Sequence, residues 1–172
     1  GGNVLKTSGF RLILAENRLM NFIMIKDVII TKKKQIYHES GKVMHMLRND
    51  ERIFKKFGEI YFSVAYPYSV KAWHCHKKMT LNYVCVHGKV KLVLYDDREK
   101  SETKGKIQEI FMSPEDYFLV TIPPLIWNGF KAIENHSSII ANCTDIAHDP
   151  NEMIKKPFDD PMFPYDWDMQ VR

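Results

Sequence analysis

The densest group of reactive side chains in this sequence lies at residues 71–78, which read K-A-W-H-C-H-K-K. His74 and His76 are two residues apart, so on a β-strand both imidazoles project from one face while Cys75 projects from the other. Imidazole exchanges protons near neutral pH and also binds transition metals. The pair therefore predicts acid–base catalysis or a metal site, with one buried histidine and one rim histidine as the purely structural alternative.

The elements that must position this pair are short strand-like segments beginning near residue 26. Segments of β-branched and aromatic residues recur about every ten to fifteen residues, separated by Gly, Pro, Asn or Asp. Only Glu39–Phe57 has a helical composition, and His87-Gly88 suggests a tight hairpin. The pattern predicts an all-β fold, a small antiparallel barrel or jelly roll, followed by a short helical or irregular C-terminal segment. The predicted strands are Asp27–Ile30, Glu59–Tyr66, Met79–Val86, Lys89–Tyr95, Lys106–Met112, Tyr117–Ile122 and Ser137–Cys143.

Length and composition limit the classes of protein that this chain can represent. With 172 residues, 45% hydrophobic and 27% charged, it has the composition of one globular domain. We interpret residues 1–23 as a tag or N-terminal extension and residues 24–172 as a single domain. No apolar run approaches the roughly 20 residues that cross a bilayer, and the three cysteines form no C-x-x-C pair. We expect a cytoplasmic protein with reduced thiols and no membrane partner. The net charge of +4 comes without a nucleic-acid-binding motif, so no nucleic-acid partner is expected.

The order of motifs along the chain resembles that of cupin barrels. The H-x-H pair is followed by Gly88 at a strand junction, by I-P-P at residues 122–124 and by N-G-F at residues 128–130. Metal-binding cupins add a glutamate soon after the pair and a third histidine in the second motif. Lys77–Met79 and Ile126–Gly129 occupy those places here. Because two imidazoles alone make a weak metal site, the resemblance implies a cupin with no bound metal and no cofactor.

Three further motifs together resemble the dTDP-4-dehydrorhamnose 3,5-epimerase family over roughly residues 40–168. Residues 96–106 are similar to the family stretch D-x-R-x-x-S-x-T-x-G-k, and residues 122–130 are similar to I-P-x-G-x-x-H-G-F. The D-D-P and Y-D-W sequences at 159–161 and 165–167 resemble the closing segment of the family. The resemblance implies an isomerase acting on a nucleoside-diphosphate 4-keto-6-deoxyhexose in surface polysaccharide or deoxysugar biosynthesis.

The resemblance also implies catalytic roles for individual residues. The family removes protons beside a C4 ketone and returns them on the opposite face of the ring, which requires a base, an acid and a group that holds the enolate oxygen. His74 stands at the position of the base. Lys71, where the family has an arginine, is the candidate that stabilises the enolate, provided that a bulge turns both side chains the same way. The family's proton-donating tyrosine falls at Ala141 or Asn142, so the proton donor of this chain is left open.

A second family resembles the same cluster. Trp73–Lys77 is similar to the R-G-x-H-A-H-K sequence of dTDP-4-keto-6-deoxyglucose 3,4-ketoisomerases, which are cupins whose paired histidines move the carbonyl. That resemblance implies a catalytic role for His76 beside His74 and keeps the same class of substrate. The residues also leave open a non-catalytic sugar-binding cupin that lost its acid, and a metal-dependent cupin oxygenase.

Further residues are candidates for contact with the substrate. Asn128 replaces a second barrel histidine of the epimerases, His148 falls close to another of their tyrosines, and an indole can stack on a sugar or base. Asp145 and Glu152 are expected to anchor a C-terminal helix, and the family likeness implies a homodimer formed through a sheet edge. The candidate substrate-binding residues are Trp73, Tyr83, Asn128, Asn142 and His148.

Overall fold

The apolar segments of the chain form two antiparallel β-sheets that pack face to face. The computed structural model describes residues 24–168, so the predicted extension at residues 1–23 lies outside the described part. The strands are β1 Ile29–Lys32, β2 Gln35–His38, β3 Gly41–Met44, β4 Glu59–Ala65, β5 Val70–His76, β6 Leu81–His87, β7 Val90–Asp96, β8 Ile107–Met112, β9 Phe118–Ile122, β10 Ile126–Ala132, β11 Ser138–Thr144 and β12 Met153–Lys155. The first sheet has the order β1-β9-β6-β11-β4, the second has the order β12-β5-β10-β7-β8, and β2 pairs with β3. The predicted all-β jelly roll is confirmed.

Apolar side chains point to both faces of the central strands, because both faces of each sheet are covered. The main core lies between the sheets and includes Leu92 and Leu94 of β7 and Val120 of β9. The outer face of the second sheet carries Trp73 and other aromatic residues beneath the C-terminal segment. Strand β7 is buried at every position, which explains why its residues 92–95 are a continuous apolar run rather than an alternating pattern.

Residues 24–168 contain no helix, which corrects two expectations. The segment Glu39–Phe57 forms β3 and an irregular loop, and Leu47 and Ile53 of that loop pack on the outer face of the first sheet. Burial of these side chains decided the local structure over helix propensity. The chain after β11 is irregular apart from β12, so Asp145 anchors no helix and instead accepts a hydrogen bond from the Thr80 amide at 2.7 Å. The described residues likewise hold no helix long and apolar enough to cross a membrane.

The predicted hairpin at His87-Gly88 is wrong in its pairing. The chain does turn there, and Gly88 adopts a positive φ of 69° that favours glycine. However, β6 belongs to the first sheet and β7 to the second, so this turn carries the chain across the core. Sequence pattern finds the turn but cannot tell a hairpin from a crossing between sheets.

The D-x-R-x-x-S-x-T motif forms a hydrogen-bonded network at the end of β7. Asp96 is fully buried and accepts hydrogen bonds from Arg98, Ser101 and Thr103 at 2.9, 2.5 and 2.7 Å. Burial acts to raise the pKa of Asp96, but these hydrogen bonds outweigh it and hold that pKa well below its usual value. The motif therefore fixes the β7–β8 connection.

An irregularity in the second sheet decides which side chains of β5 face inward. In the pairing of β5 with β10, Asn128 lies opposite His74 while Phe130 lies opposite Lys71, so three steps along β5 match two along β10. This is the geometry of a β-bulge. A Cβ atom added to Gly129 would lie 2.3 Å from the Ala72 Cβ and 3.2 Å from the Lys71 carbonyl oxygen. Only glycine leaves room for the bulged strand at this position.

We expect Gly129→Ala to lower the free energy of unfolding by about 1–3 kcal/mol, because the added methyl group overlaps the bulge. Urea unfolding of the two proteins measures this difference. The double variant Gly129→Ala, Ala72→Gly removes the nearer clashing Cβ and should recover part of the loss. Equal stability of the single variant and the parent protein would contradict the argument.

Candidate active site

A cavity of about 560 Å³ lies where the edge strand β4 of the first sheet faces β5 of the second. Its volume is in the usual range for sites that bind small molecules. Imidazoles, amines and phenols share this cavity with a few apolar side chains, which suits proton transfer on a polar ligand. The lining residues are Glu59, Tyr61, Ser63, Lys71, His74, His76, Met79, Tyr83, Phe130, His148, Met153 and Lys155.

Five of the residues that the sequence singled out line this cavity. They are Lys71, His74, His76, Tyr83 and His148. The structure thus brings together the two histidines of β5, a lysine of the same strand, a tyrosine of β6 and a histidine from the chain after β11. Their chemical roles remain predictions.

The bulge required for a role of Lys71 is present. It turns Ala72 and Trp73 to the outer face of the sheet, so that Lys71 faces the cavity with His74. The Lys71 ammonium donates hydrogen bonds to the Ser63 hydroxyl at 2.7 Å and to the Val64 carbonyl at 3.2 Å. Burial lowers the pKa of Lys71. The ammonium therefore reaches across the cavity to β4 and places a positive charge beside any ligand.

His74 is held in its neutral form. Its pKa is lowered to about 4, first by burial and then by the positive charges of Lys155, His76 and Lys71. Lys155 is the residue of β12 that pairs with His74, so its charge is fixed beside the imidazole. At pH 7 the imidazole of His74 is consequently free to accept a proton, which is the property that a general base needs.

A buried carboxylate orients the imidazole of His76. The His76 Nδ1 lies 2.6 Å from the Glu152 Oε2, and both side chains are buried. The other carboxylate oxygen accepts hydrogen bonds from the amides of Lys78 and Met79 at 2.6 and 2.9 Å. Because a carboxylate only accepts, the Nδ1 of His76 carries a proton and donates it to Glu152, which fixes the orientation of the ring. This is the arrangement of a histidine oriented for acid–base work.

Hydrogen bonds also determine the charge of Glu152. Burial acts to raise its pKa, but the bonds from the Lys78 amide, His76 and the Met79 amide outweigh burial and lower the pKa below its usual value. Glu152 therefore stays ionised at neutral pH. Its predicted role as a helix anchor was wrong, because the segment that carries it runs along β5 instead of forming a helix.

The two predicted asparagines lie behind the cavity wall rather than in it. Asn128 is buried, donates from Nδ2 to the His74 carbonyl at 3.1 Å and accepts at Oδ1 from the Tyr83 hydroxyl at 3.3 Å. Asn142 is buried, accepts at Oδ1 from the Asn82 amide at 3.0 Å and donates from Nδ2 to the Tyr61 hydroxyl at 2.8 Å. Both therefore orient lining residues, and direct contact with substrate does not fit their positions.

The stacking role predicted for Trp73 does not fit its position. Its ring is completely buried on the outer face of the second sheet, where it stacks on Phe163 with ring centroids 4.3 Å apart. The bulge is the physical reason, because it turns Trp73 away from the cavity that His74 faces. Trp73 thus attaches the C-terminal segment to the barrel.

Sequence reasoning missed several lining residues, of which Glu59, Tyr61 and Lys155 are ionisable. A signal for Tyr61 was available, since Glu59, Tyr61 and Ser63 alternate with apolar residues on a correctly predicted strand. No local signal marked Lys155 or Glu152, because they reach the site through long-range pairing with β5.

In the part of the chain that the structure describes, no group of three or more His, Cys, Asp or Glu side chains could hold a metal ion. Among those residues, His74 and His76 therefore belong to no cluster with enough ligands for a metal ion. That the purified protein holds no metal stays a prediction.

Comparison with known proteins agrees with this geometry. Residues 23–172 match the family model described as dTDP-4-dehydrorhamnose 3,5-epimerase. A solved dTDP sugar isomerase from Desulfovibrio desulfuricans is similar with 42% sequence identity and a TM-score of 0.81, over 83% of this chain and 92% of that one. The spore coat polysaccharide biosynthesis protein SpsL of Bacillus subtilis is 28% identical over 87% of this chain and its own full length. A protein of Haloferax volcanii named as a probable epimerase of low-salt glycan biosynthesis is 31% identical, over 86% of this chain and 97% of its own.

We expect Glu152→Gln to lower the free energy of unfolding by about 1–3 kcal/mol at neutral pH, because it weakens the bonds to His76 and two amides. The pKa of Glu152 is depressed from 4.5 in the folded state, so its stabilising effect is complete above that pH and is lost on acidification below it. The difference between variant and parent should therefore be constant above about pH 5 and shrink below it. Urea unfolding at a series of pH values measures this, with the exposed Glu39→Gln as a control. A difference that does not change with pH would contradict the assignment.

Proposed function

We propose that this chain, which belongs to the dTDP-4-dehydrorhamnose 3,5-epimerase family, inverts a carbon beside the ketone of a nucleoside-diphosphate 4-keto-6-deoxyhexose. Its family and relatives are isomerase-class enzymes and biosynthetic proteins that act on sugars of surface polysaccharides and glycans. The observation that supports the proposal best is the meeting of His74, His76 and Lys71 in one sugar-sized cavity. The likeness to a dTDP sugar isomerase at 42% identity supports a nucleotide-linked sugar as substrate.

His74 is the proposed base. It stands at the family's base position and is neutral at pH 7, as the proton acceptor must be. A pKa near 4 makes a weak base in the empty site, but part of that depression comes from neighbouring cations. A diphosphate and a developing enolate are negative, so a bound substrate offsets those cations and raises the basicity of His74 when it is needed.

Lys71 is the proposed stabiliser of the enolate. Removal of a proton beside a ketone moves negative charge onto the ketone oxygen, and a fixed ammonium in a partly buried cavity stabilises that charge. The hydrogen bonds to Ser63 and Val64 hold the Lys71 amine in place before the substrate arrives. Lys155 and His148 line the same cavity and are the proposed contacts of the diphosphate.

The pairing of His76 with Glu152 favours a second candidate, a 3,4-ketoisomerase acting on the same class of substrate. Migration of the carbonyl needs a proton removed from one carbon and another delivered to its neighbour. Two histidines that face one cavity, one of them oriented by a carboxylate, meet that need.

The two candidates differ in how they depend on the histidines. We expect His74→Asn to slow deuterium exchange into the keto-sugar by a factor of ~10²–10⁴, because it removes the base but not the groups that hold the diphosphate. His76→Asn should keep exchange and inversion within about tenfold in an epimerase that uses His74, whereas a ketoisomerase should lose most activity. Incubation with dTDP- and CDP-4-keto-6-deoxyglucose in deuterated water, read by NMR, locates the exchanged carbon.

Nucleotide binding provides the control for both variants. Calorimetric titration with dTDP should give the same affinity for the parent protein, for His74→Asn and for His76→Asn. Parent protein that binds a keto-sugar nucleotide yet exchanges no deuterium into it would support the non-catalytic sugar-binding cupin instead.

We further propose that two copies of the chain associate through β4. This seven-residue strand is the longest at the open edges of the two sheets, where β1, β8 and β12 are shorter. Its outward side chains Ile60, Phe62 and Val64 are 50%, 63% and 45% exposed. An exposed apolar edge strand favours pairing with another strand, and a second copy supplies an identical one.

Free Cys75, Cys85 and Cys143 fit the cytoplasmic location that we propose for this enzyme.

We expect the protein to sediment with about twice the 20.3 kDa mass of one chain at micromolar concentration. Phe62→Glu should shift it to the monomer, because the new charge cannot be desolvated at the interface. Phe111→Glu, at an exposed position of the edge strand β8, is the matched control and should leave the dimer intact. A parent protein that sediments as one chain would refute the association.

A further inference from the structure

The proton donor of the reaction has no counterpart at the position where the family carries its tyrosine. Sequence comparison places that tyrosine at Ala141 or Asn142 of β11. Ala141 packs on the outer face of the first sheet, and the Asn142 amide is buried behind the cavity wall. β11 therefore supplies no acid, and another group must return the proton.

A phenol from the neighbouring strand fills this gap. Tyr61 of β4 lies directly opposite Asn142 in the pairing of β4 with β11, and its ring lines the cavity. The Asn142 Nδ2 donates a hydrogen bond to the Tyr61 hydroxyl at 2.8 Å. One of the two residues at the position of the family's tyrosine thus holds a tyrosine of the next strand.

The direction of that hydrogen bond is fixed by a second contact. The Asn142 Oδ1 faces the Asn82 backbone amide at 3.0 Å, and an amide N–H can only donate. The nitrogen of the Asn142 side chain must therefore point at Tyr61. Because the phenol oxygen accepts this bond, the phenolic proton remains free for a different acceptor, and the open side of the phenol is the cavity.

Tyr83, the other phenol of the cavity, is engaged in the opposite way. The Asn128 Nδ2 donates to the His74 carbonyl at 3.1 Å, which turns the Asn128 Oδ1 toward Tyr83. That oxygen can only accept, so the Tyr83 hydroxyl donates its proton to it at 3.3 Å. Tyr83 is also almost fully buried, whereas Tyr61 is 37% exposed and can exchange its proton with solvent.

Tyr61 and the imidazoles occupy opposite walls of the cavity. Tyr61 belongs to the first sheet, and His74 and His76 belong to the second. The hydrogen bond from Lys71 to Ser63 bridges these walls. Ser63 is two residues from Tyr61 along β4, and Lys71 is three residues from His74 along β5. A sugar ring between the walls has the imidazoles on one face and the phenol on the other, which is the arrangement that inversion requires.

On the basis of the function proposed above, we propose that Tyr61 is the general acid that delivers the proton to the inverted face of the sugar. An imidazole of β5 takes the proton from the carbon beside the ketone, and the electrons of that C–H bond form the enolate. The enolate carbon then takes the phenolic proton and leaves a phenolate that accepts the hydrogen bond from Asn142. Solvent reprotonates the phenolate and takes the proton from the imidazole, so no oxidant or reductant is consumed.

The ionisation of Tyr61 is consistent with this role. Burial and the charge of Glu59 raise its pKa above the usual value, against the opposing effect of the Asn142 bond. Tyr61 therefore stays protonated at neutral pH and can act as an acid. The Asn142 bond favours the phenolate and so helps the proton to leave.

Tyr61→Phe tests the proposal by separating exchange from inversion. In deuterated water the variant should still exchange the hydrogen beside the ketone, because the imidazole can return a deuteron to the face from which it removed the proton. Inversion should fall by a factor of ~10²–10⁴ while exchange falls by less than tenfold. Tyr66→Phe, 74% exposed and outside the cavity lining, is the matched control and should behave as the parent protein.

Each outcome of this experiment is decisive. Inversion by Tyr61→Phe at the rate of the parent protein would overturn the proposal, and so would equal loss of exchange and inversion in a variant that unfolds at the parent temperature. Tyr83→Phe should keep the parent ratio of inversion to exchange, and a changed ratio there with an unchanged one in Tyr61→Phe would identify Tyr83 as the acid instead. Parent protein that neither exchanges nor inverts any keto-sugar nucleotide would refute the proposed function itself, a result visible before any variant is made.

Discussion

The bulge of β5 against Gly129 is the constraint on which the site depends. Without it, strict alternation would turn Lys71 away from the face that carries His74 and His76. With it, Ala72 and Trp73 both face outward, and Lys71 joins the histidines in the cavity. The Trp73 backbone also exchanges two hydrogen bonds with Lys156, at 2.8 and 3.1 Å, just beyond β12. One local irregularity thus builds the cavity wall and docks the segment that brings Glu152 and Lys155 to it.

Two buried asparagines, each held by a backbone group, form hydrogen bonds with the two phenols of the site. Each side-chain amide has one end fixed by a backbone group, the Asn82 amide for Asn142 and the His74 carbonyl for Asn128. The other end of Asn142 is then a donor to the Tyr61 hydroxyl, and the other end of Asn128 is an acceptor from the Tyr83 hydroxyl. The two phenols therefore differ in proton availability although both line the same cavity. Buried amides are satisfied at both ends here, as polar groups in a core must be.

Sequence predicted the framework of the fold well, because alternation and turn residues are local signals. Seven strands were placed within about two residues of their ends, and the H-x-H face was correct. Pairing was not predictable in the same way. The turn at Gly88 was predicted, but the change of sheet at that turn was not. Glu39–Phe57 has a helical composition, and the composition of a segment does not show that its side chains pack on a distant sheet.

The residues of the candidate site show the same difference between local signals and long-range pairing. His74, His76 and Lys71 were found because they are close in sequence, and the family likenesses suggested their roles. The contact of Glu152 with the site was missed because it lies 76 residues from His76 and meets it only through β12. Trp73 was misplaced because the sequence does not reveal on which side of a bulge a residue falls. Contacts that depend on strand pairing are thus the ones that only the structure supplies.

The electrostatics of the cavity are compatible with the proposed role of His74 as a base, although its pKa is low. Lys71 and Lys155 act on His74 in the empty site and, together with burial, keep it neutral. A bound anionic substrate would neutralise much of the field of these two cations at His74. In the proposed mechanism, the imidazole becomes a stronger base only beside the substrate, and the imidazolium then lies close to the enolate. The same two cations that disfavour protonation of His74 before substrate binds would therefore stabilise the negative charge of the enolate in the proposed reaction.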